Sequence, residues 1–363
     1  MKHKVLIFIA MLALVASCGT NLSPELNGGL SLVITDGAPG TKSTSSPDLS
    51  ELSYEKKVNT LQVFIFEGST LFRYQKIDLS SAELPYTVNY SEIKAGNYSI
   101  HVVANAPDMD DIVTEEELAE TGVSLSDCRL ADSEGFVMAG NASVNIANGR
   151  TETVQVPVRR FAARIRLVSI ENRVPESYAN SGSIYVKGVF LANALGSWNI
   201  EGSGPAGGWV NLGGRTSGRE TSLSKSDFIS GEGQVNPSSC KKQVYRNLDV
   251  TVDNRDTESF SDCCLYTFPN AVTVDHTGNT AVAETGALTR LVVYATVNGE
   301  DWWYPVTLFS DGKAPVRNSS SDVKLIITAT GSTDPNEPVG RGSVTASITV
   351  ASWENGSVYE ETI

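Results

Sequence analysis

Val58-Asn59-Thr60-Leu61-Gln62-Val63-Phe64-Ile65-Phe66 decides the fold class of this chain. In an extended segment side chains alternate with a period of two, so Leu61, Val63 and Ile65 share one face and Phe64 and Phe66 the other. A strand apolar on both faces is central in a sheet or covered on both sides. Runs of the same kind lie on either side of it. Leu30 to Thr35 precedes it, and Tyr98, Ile100 and Val102 line one face of a later strand. Val154 to Val158 leads into Ala163-Arg164-Ile165-Arg166-Leu167, where Arg and apolar residues alternate. In the second half, Leu291 to Val297 and Trp302 to Phe309 flank Asn298-Gly299, a strong hairpin signal. Val323, Leu325 and Ile327 alternate, and so do Val344, Ala346, Ile348 and Val350.

Gly, Asn, Asp and Ser turns separate these runs, which predicts an all-β chain. One short helix is expected at Thr114 to Leu118, where Thr114 and Glu117 have the spacing of a capping box. The Gly- and Ser-rich stretch from Gly196 to Cys240 reads as long surface loops. With 363 residues the chain has room for about two domains. Two β-sandwiches in tandem are expected, residues 43–162 and 163–363, meeting near Arg160 to Ala163.

The N-terminus carries an export signal. Lys2 and Lys4 precede an unbroken apolar run from Val5 to Val15, too short for a permanent membrane span. Leu14-Val15-Ala16-Ser17-Cys18 has the residue types of a bacterial lipobox. Residues 1–17 are therefore read as a lipoprotein signal peptide and Cys18 as the acylated anchor to the outer membrane. Residues 18–42 are read as a tether followed by a first strand.

Net charge is −14, and loss of Lys2 and Lys4 with the signal takes it to −16. An acidic chain without a basic stripe is a poor partner for nucleic acid. Export permits disulfides. Among Cys128, Cys240, Cys263 and Cys264 the sequence leaves both bridges and buried thiols open. Adjacent Cys263 and Cys264 point to opposite sides in a strand, so at most one of them would pair easily with Cys240.

Catalytic chemistry finds little support, and the chain is not read as an enzyme. His101 alternates with Ile100 and Val102 as a sheet residue, and His276 sits in a turn composition. Ser-x-x-Lys at Ser53/Lys56, Ser91/Lys94 and Ser321/Lys324 opens no expected helix. Gly202 to Gly207 spells a glycine-rich pattern, but no helix follows and Pro205 removes a donor, so no dinucleotide cofactor is implied. Asp108, Asp110 and Asp111 lack calcium-loop spacing and read as a solvated acidic loop, so neither metal nor cofactor is expected.

Several segments, in order, resemble the fimbrillin family, the structural subunits of type V pili in Gram-negative anaerobes. The likeness begins with Leu30 to Thr35, a loop to Lys42, and the strand Lys57 to Gly68. It continues through Gly96 to Asn105, Phe136 to Gly140 and Arg160 to Ile165. It closes with Tyr304-Pro305-Val306, Arg317-Asn318, Val323 to Thr328, Thr330-Gly331, Asn336-Glu337-Pro338 and Val350 to Trp353. Two departures stand out. Ser319-Ser320-Ser321 replaces a Tyr that often follows Arg-Asn in the family, and Lys42 stands where the family typically has Arg.

The resemblance implies two transthyretin-like β-sandwiches and a surface polymer. A trypsin-like surface protease would cut between Lys42 and Ser43, removing a first strand whose Leu30, Leu32 and Ile34 fill a groove. The groove would then take a strand from another pilus subunit. In this chain the donor is expected in residues 343–363, with Val344, Ala346, Ile348, Val350 and Trp353. The implied role is adhesion, through contact with a host or bacterial surface ligand. The alternative is a monomeric surface lipoprotein that binds glycan or host ligand through Trp302-Trp303-Tyr304. Alternation puts Trp302 and Tyr304 on one face and Trp303 on the other, so one of the two sides faces core.

Overall fold

A computed structural model describes residues 27–37, 52–128, 135–179, 182–200, 209–211, 214–216, 219–221, 240, 243–270, 289–308, 315, 317–333, 335, 344–352 and 359–362. Side chains beyond residue 335 are not described. Cys18, Lys42, Ser43, Trp353, His276 and the Gly202–Gly207 pattern lie outside the described residues.

The first half forms one seven-stranded sheet. Its strands are β1 (Asn27–Asp36), β2 (Val58–Glu67), β3 (Thr70–Ala82), β4 (Tyr86–Lys94) and β5 (Gly96–Ala104). After α1 (Glu115–Glu120) and a short strand β6 (Gly122–Ser124) come β7 (Met138–Ile146) and β8 (Thr151–Arg160). The order across the sheet is β3-β2-β5-β7-β8-β1-β4. β7 and β8 pair only at Met138–Arg160 and Ala139–Arg159, after which β8 pairs with β1. Gly140 marks that parting, since a Cβ there would lie 2.0 Å from the Pro157 carbonyl oxygen. The sheet folds over at this point, so β3-β2-β5-β7 and β8-β1-β4 enclose one core. Leu30, Leu32, Ile34, Leu61, Val63, Ile65, Ile100, Val102, Val156 and Val158 fill it.

The other face of β2 serves a second core. Phe64 and Phe66 pack with Val103, with Leu118 of α1 and with the apolar interior of the second half. The two-sided apolarity of β2 thus reflects a strand wedged between two cores. Gln62, the one polar residue within its Leu61–Phe66 run, is fully buried and well supplied. Its Nε2 donates to the Pro107 carbonyl at 2.8 Å, and its Oε1 accepts from Tyr74 Oη at 3.0 Å and Met109 N at 2.9 Å.

The second half begins with β9 (Ala163–Asn172), β10 (Ile184–Ala192), β11 (Ala194–Leu195), β12 (Ser197–Asn199), β13 (Trp209–Val210), β14 (Gly214–Thr216) and β15 (Arg219–Thr221). It continues with β16 (Tyr245–Val252), β17 (Thr257–Ser259), β18 (Cys264–Thr267), β19 (Arg290–Val297), β20 (Glu300–Thr307), β21 (Ser319–Ile327), β22 (Val344–Ser352) and β23 (Tyr359–Thr362). Sheet β16-β10-β19-β20 faces sheet β17-β9-β21-β22-β23 across the larger core, with β18 also on β9. The architecture is all-β and sandwich-like. The loop reading of Gly196 to Cys240 needs correction, because that stretch contains the short strands β12 to β15, with β12 paired to β6.

Local signals take the expected form. Thr114 Oγ1 accepts from Glu117 N at 3.1 Å while Glu117 Oε2 accepts from Thr114 N at 3.0 Å. Val113 N, which donates to the same carboxylate oxygen at 2.9 Å, and Thr114 N together hold the Glu117 carboxyl below its ordinary range. Asn298 and Gly299 take φ values of 55° and 82°, the left-handed pair that a tight hairpin between β19 and β20 requires. His101 is more than a plain sheet residue. It is buried, meets the Phe66 ring edge-on and contacts Glu115 Oε1 through Nε2 at 2.7 Å. Asp108 pairs with Lys76 at 2.6 Å.

Candidate functional site

The first strand is the candidate site, and its position follows from its neighbours. β1 lies between β4 and β8, not at an edge. It runs antiparallel to β4, with Leu30 opposite Tyr90, Leu32 opposite Val88 and Ile34 opposite Tyr86. It runs parallel to β8, with Leu30 opposite Glu152 and Ile34 opposite Val156. A hairpin cannot make a parallel pair, so β1 is joined to β8 only through the sheet. Leu30, Leu32 and Ile34 are each 0% exposed, and Val33 on the opposite face is half-buried.

The start of β1 is pinched. A Cβ on Gly28 would lie 2.6 Å from the Ala147 carbonyl oxygen and 2.7 Å from that of Arg150. Backbone cannot yield there, so Gly28→Val is expected to cost about 1–3 kcal/mol of stability through forced displacement of the strand. Urea unfolding of the full chain checks this, and an unchanged midpoint would mean that β1 is not seated as described. At the other end, Gly37 N donates to the Val158 carbonyl at 2.9 Å, and Arg159 Nε donates to the Gly37 carbonyl at 3.3 Å.

From Leu52 onward the chain is again described, and a buried polar cluster fixes it there. Glu55 is fully buried in a one-turn 3-10 segment, Ser53–Lys56. Its Oε2 accepts from Leu52 N at 2.7 Å and from Arg164 Nη1 at 2.7 Å, and its Oε1 accepts from Tyr266 Oη at 2.7 Å. Arg164 Nε donates to Ser320 Oγ at 2.8 Å. Burial, then the Glu55 charge, pushes the Tyr266 phenol well up, and burial raises Tyr54 to about 12. Arg160 Nε donates to the Glu55 carbonyl at 2.9 Å. Arg317 caps the junction by donating to the carbonyls of Arg160, Ala139 and Arg159 while its guanidinium lies 4.0 Å over the Phe161 ring.

No sequence pattern announces this cluster, because its members are far apart in the chain. The nearest signals are Arg alternating with apolar residues in β9 and three serines after Arg317-Asn318. Those serines open β21 and are buried; Ser320 meets Arg164, and Asp322 pairs with Arg166 through two bonds of 2.9 and 2.6 Å.

The expected donor run forms β22. It is paired to β21 from Ser319–Ser352 to Ile327–Val344, and β23 pairs on its far side. Val344, Ala346, Ile348 and Val350 therefore sit in their own sheet, with β23 at the edge. Tyr304 faces the main core with Trp302 packed against it, whereas Trp303 belongs to a smaller cluster on the outer face of the sheet. Trp303 stacks on Tyr294 with ring centroids 5.1 Å apart and is only 3% exposed, so it presents no open platform for a sugar.

All four described cysteines are buried thiols. Among the described residues, no group of three or more His, Cys, Asp or Glu is placed to hold a metal ion, and no helix is long and apolar enough to cross a membrane.

Residues 29–168 match the family model described as major fimbrial subunit protein (FimA). No curated protein matches the chain in sequence. Among solved structures, fimbrilin from Porphyromonas gingivalis superimposes with a TM-score of 0.59 at 14% identity, covering 93% of this chain and 99% of that one. A candidate cell adhesion protein from Bacteroides eggerthii gives 0.58 at 20% identity, covering 93% and 99%. Another from Parabacteroides distasonis gives 0.59 at 18% identity, covering 91% and 98%. The matched segment starts at β1 and ends within β9, so it takes in the whole seven-stranded sheet. Residues 29–168 thus resemble the FimA family of major fimbrial subunits, and across nearly its whole length the chain shares the fold of the fimbrilin structure.

Proposed function

We propose that this protein is a structural subunit of a cell-surface pilus that serves adhesion and assembles by protease-triggered strand exchange. The precursor is exported and acylated at Cys18, which holds it on the outer membrane. A trypsin-like surface protease cuts between Lys42 and Ser43, in the segment joining Gly37 to Leu52. The cut frees β1 while Glu55 keeps the new N-terminal region fixed to the body. Loss of β1 leaves β4 and β8 with unpaired backbone groups beside an apolar groove. A strand from the next subunit fills that groove, with apolar side chains in the places of Leu30, Leu32 and Ile34.

The observation that carries this reading is the position of β1: first among the described strands, flanked on both sides by β4 and β8, and fully buried at three alternating apolar residues. β22 with β23 is the proposed donor. The pair lies at the end of its sheet, so it can leave without breaking any ladder except that with β21.

N-terminal sequencing and intact mass of protein sheared from its own cell surface test the proposal. The expected product begins at Ser43 and runs as a heat-resistant ladder. A chain still acylated at Cys18 and running as one band would instead support an anchoring subunit or a monomeric lipoprotein.

A further inference from the structure

A cleft lies between α1 and the exposed end of the pairing of β5 with β7. There Asn97 stands opposite Asn145 and Ser99 opposite Ser143. Alternation sends these four side chains to the same face as His101, away from the core that holds β1. Glu115 and Gly68 line the other side, and the volume is about 460 Å³, within the range of small-ligand sites. The wall that carries Glu115 is fixed by backbone bonds. Glu115 N donates to the Ser69 carbonyl at 3.1 Å, and Leu71 N donates to the Val113 carbonyl at 2.9 Å.

The polar atoms of the cleft are only half used. Asn145 Nδ2 donates to Asn97 Oδ1 at 2.7 Å, which leaves Asn97 Nδ2 as a donor and Asn145 Oδ1 as an acceptor. Ser99 Oγ is buried without a hydrogen-bond partner among the described residues, a costly state unless a ligand supplies the bond. Glu115 Oε1 contacts His101 Nε2 at 2.7 Å, and its second oxygen is left open on a side chain that is 35% exposed. Among the described residues no Lys or Arg lines the cleft, so an anionic ligand finds no counter-charge. A hydroxyl both donates and accepts, and so can use the open donor and the open acceptor of the Asn pair together. Neighbouring hydroxyls on one ring can meet Ser99, Ser143 and Glu115 in the same way. Short side chains on paired strands hold these groups with little freedom to lose on binding. Glu115 is the one carboxylate among the described lining residues, whereas glycoside hydrolysis uses a pair, so the chemistry is binding and not cleavage.

We propose that this cleft binds a neutral, hydroxyl-rich sugar residue of a surface glycan. The proposal rests on the adhesive role in the reading above and names the class of its ligand, but it needs neither proteolysis nor strand exchange. The cleft uses no residue of β1, β4 or β8, so release of β1 leaves its lining in place.

The test applies the full chain to printed arrays of neutral and sialylated host glycans and of bacterial surface glycans. Wild type, Asn145→Ala and Ser143→Tyr are compared. Both positions are exposed, and urea midpoints equal to wild type exclude a folding defect. The expected result is binding of neutral glycans. Asn145→Ala should weaken it about tenfold through loss of a hydrogen-bonding amide, and Ser143→Tyr, which fills the cleft, should abolish it. Neutral glycans of either origin support the proposal, and the arm that responds identifies the source. An empty array, binding confined to sialylated glycans, or binding that both variants retain overturns it. A heat-resistant ladder from sheared cells beside an empty array overturns the glycan site alone. Binding to neutral glycans without any ladder overturns strand exchange alone.

Discussion

Replacing Glu55 with alanine is expected to lower the unfolding free energy by about 3–5 kcal/mol, the range for breaking a buried ion pair on one side. The cost arises from what stays behind. Arg164 and Tyr266 keep their burial but lose a carboxylate that accepts from both at 2.7 Å. Leu52 N loses its acceptor as well. Glu55→Gln keeps the shape and one acceptor oxygen, so its loss should be smaller. Urea unfolding of both variants checks the order. Equal midpoints for wild type and Glu55→Ala would mean that the cluster contributes shape alone. A variant that still folds should also lose register at Leu52, so limited proteolysis should spread past residue 52 into the 3-10 turn.

Removal of residues 1–42 is the second large effect. Burying a Leu or Ile is worth about 2 kcal/mol, so three such side chains account for about 6 kcal/mol, before any ladder hydrogen bond at about 1 kcal/mol each. Whole domains are stable by only about 5–15 kcal/mol. The shortened chain should therefore be loosened in its first half, bind an apolar dye, and self-associate. A synthetic peptide spanning Asn27–Gly37 should restore compactness, and so should one spanning residues 343–353. Peptides with Asp at the places of Leu32 or Ala346 should fail. A shortened chain that is monomeric and as stable as the full one would sink the assignment of β1 as groove filler.

Periodicity made much of this fold legible. Leu61, Val63 and Ile65 against Phe64 and Phe66 gave away a strand covered twice, and Leu30, Leu32 and Ile34 gave away a buried face. Asn298-Gly299 and the Thr114/Glu117 spacing marked their turn and helix because those signals are local. What stayed hidden is non-local. Nothing near Leu30 says that its second neighbour is Glu152, running in the same direction. Glu55, Arg164, Tyr266 and Ser320 each look like ordinary surface residues until four separate segments meet. Gln62 likewise breaks an apolar run for a reason seen only in its hydrogen-bond partners. Trp302-Trp303-Tyr304 shows the limit of composition, since aromatic residues suited to a sugar are equally suited to two opposite cores.

The parallel ladder between β1 and β8 has a kinetic consequence. Chains that depend on contacts distant in sequence fold slowly, because loop closure must precede the contact that rewards it. β1 is the first described strand to be synthesised, yet its partner β8 follows only after six other strands. It must therefore wait, apolar and unpaired on one side, until almost the whole sheet has emerged. The strand that arrives first can pair with β4 early, but its ladder with β8 is the last of this sheet's pairings to close.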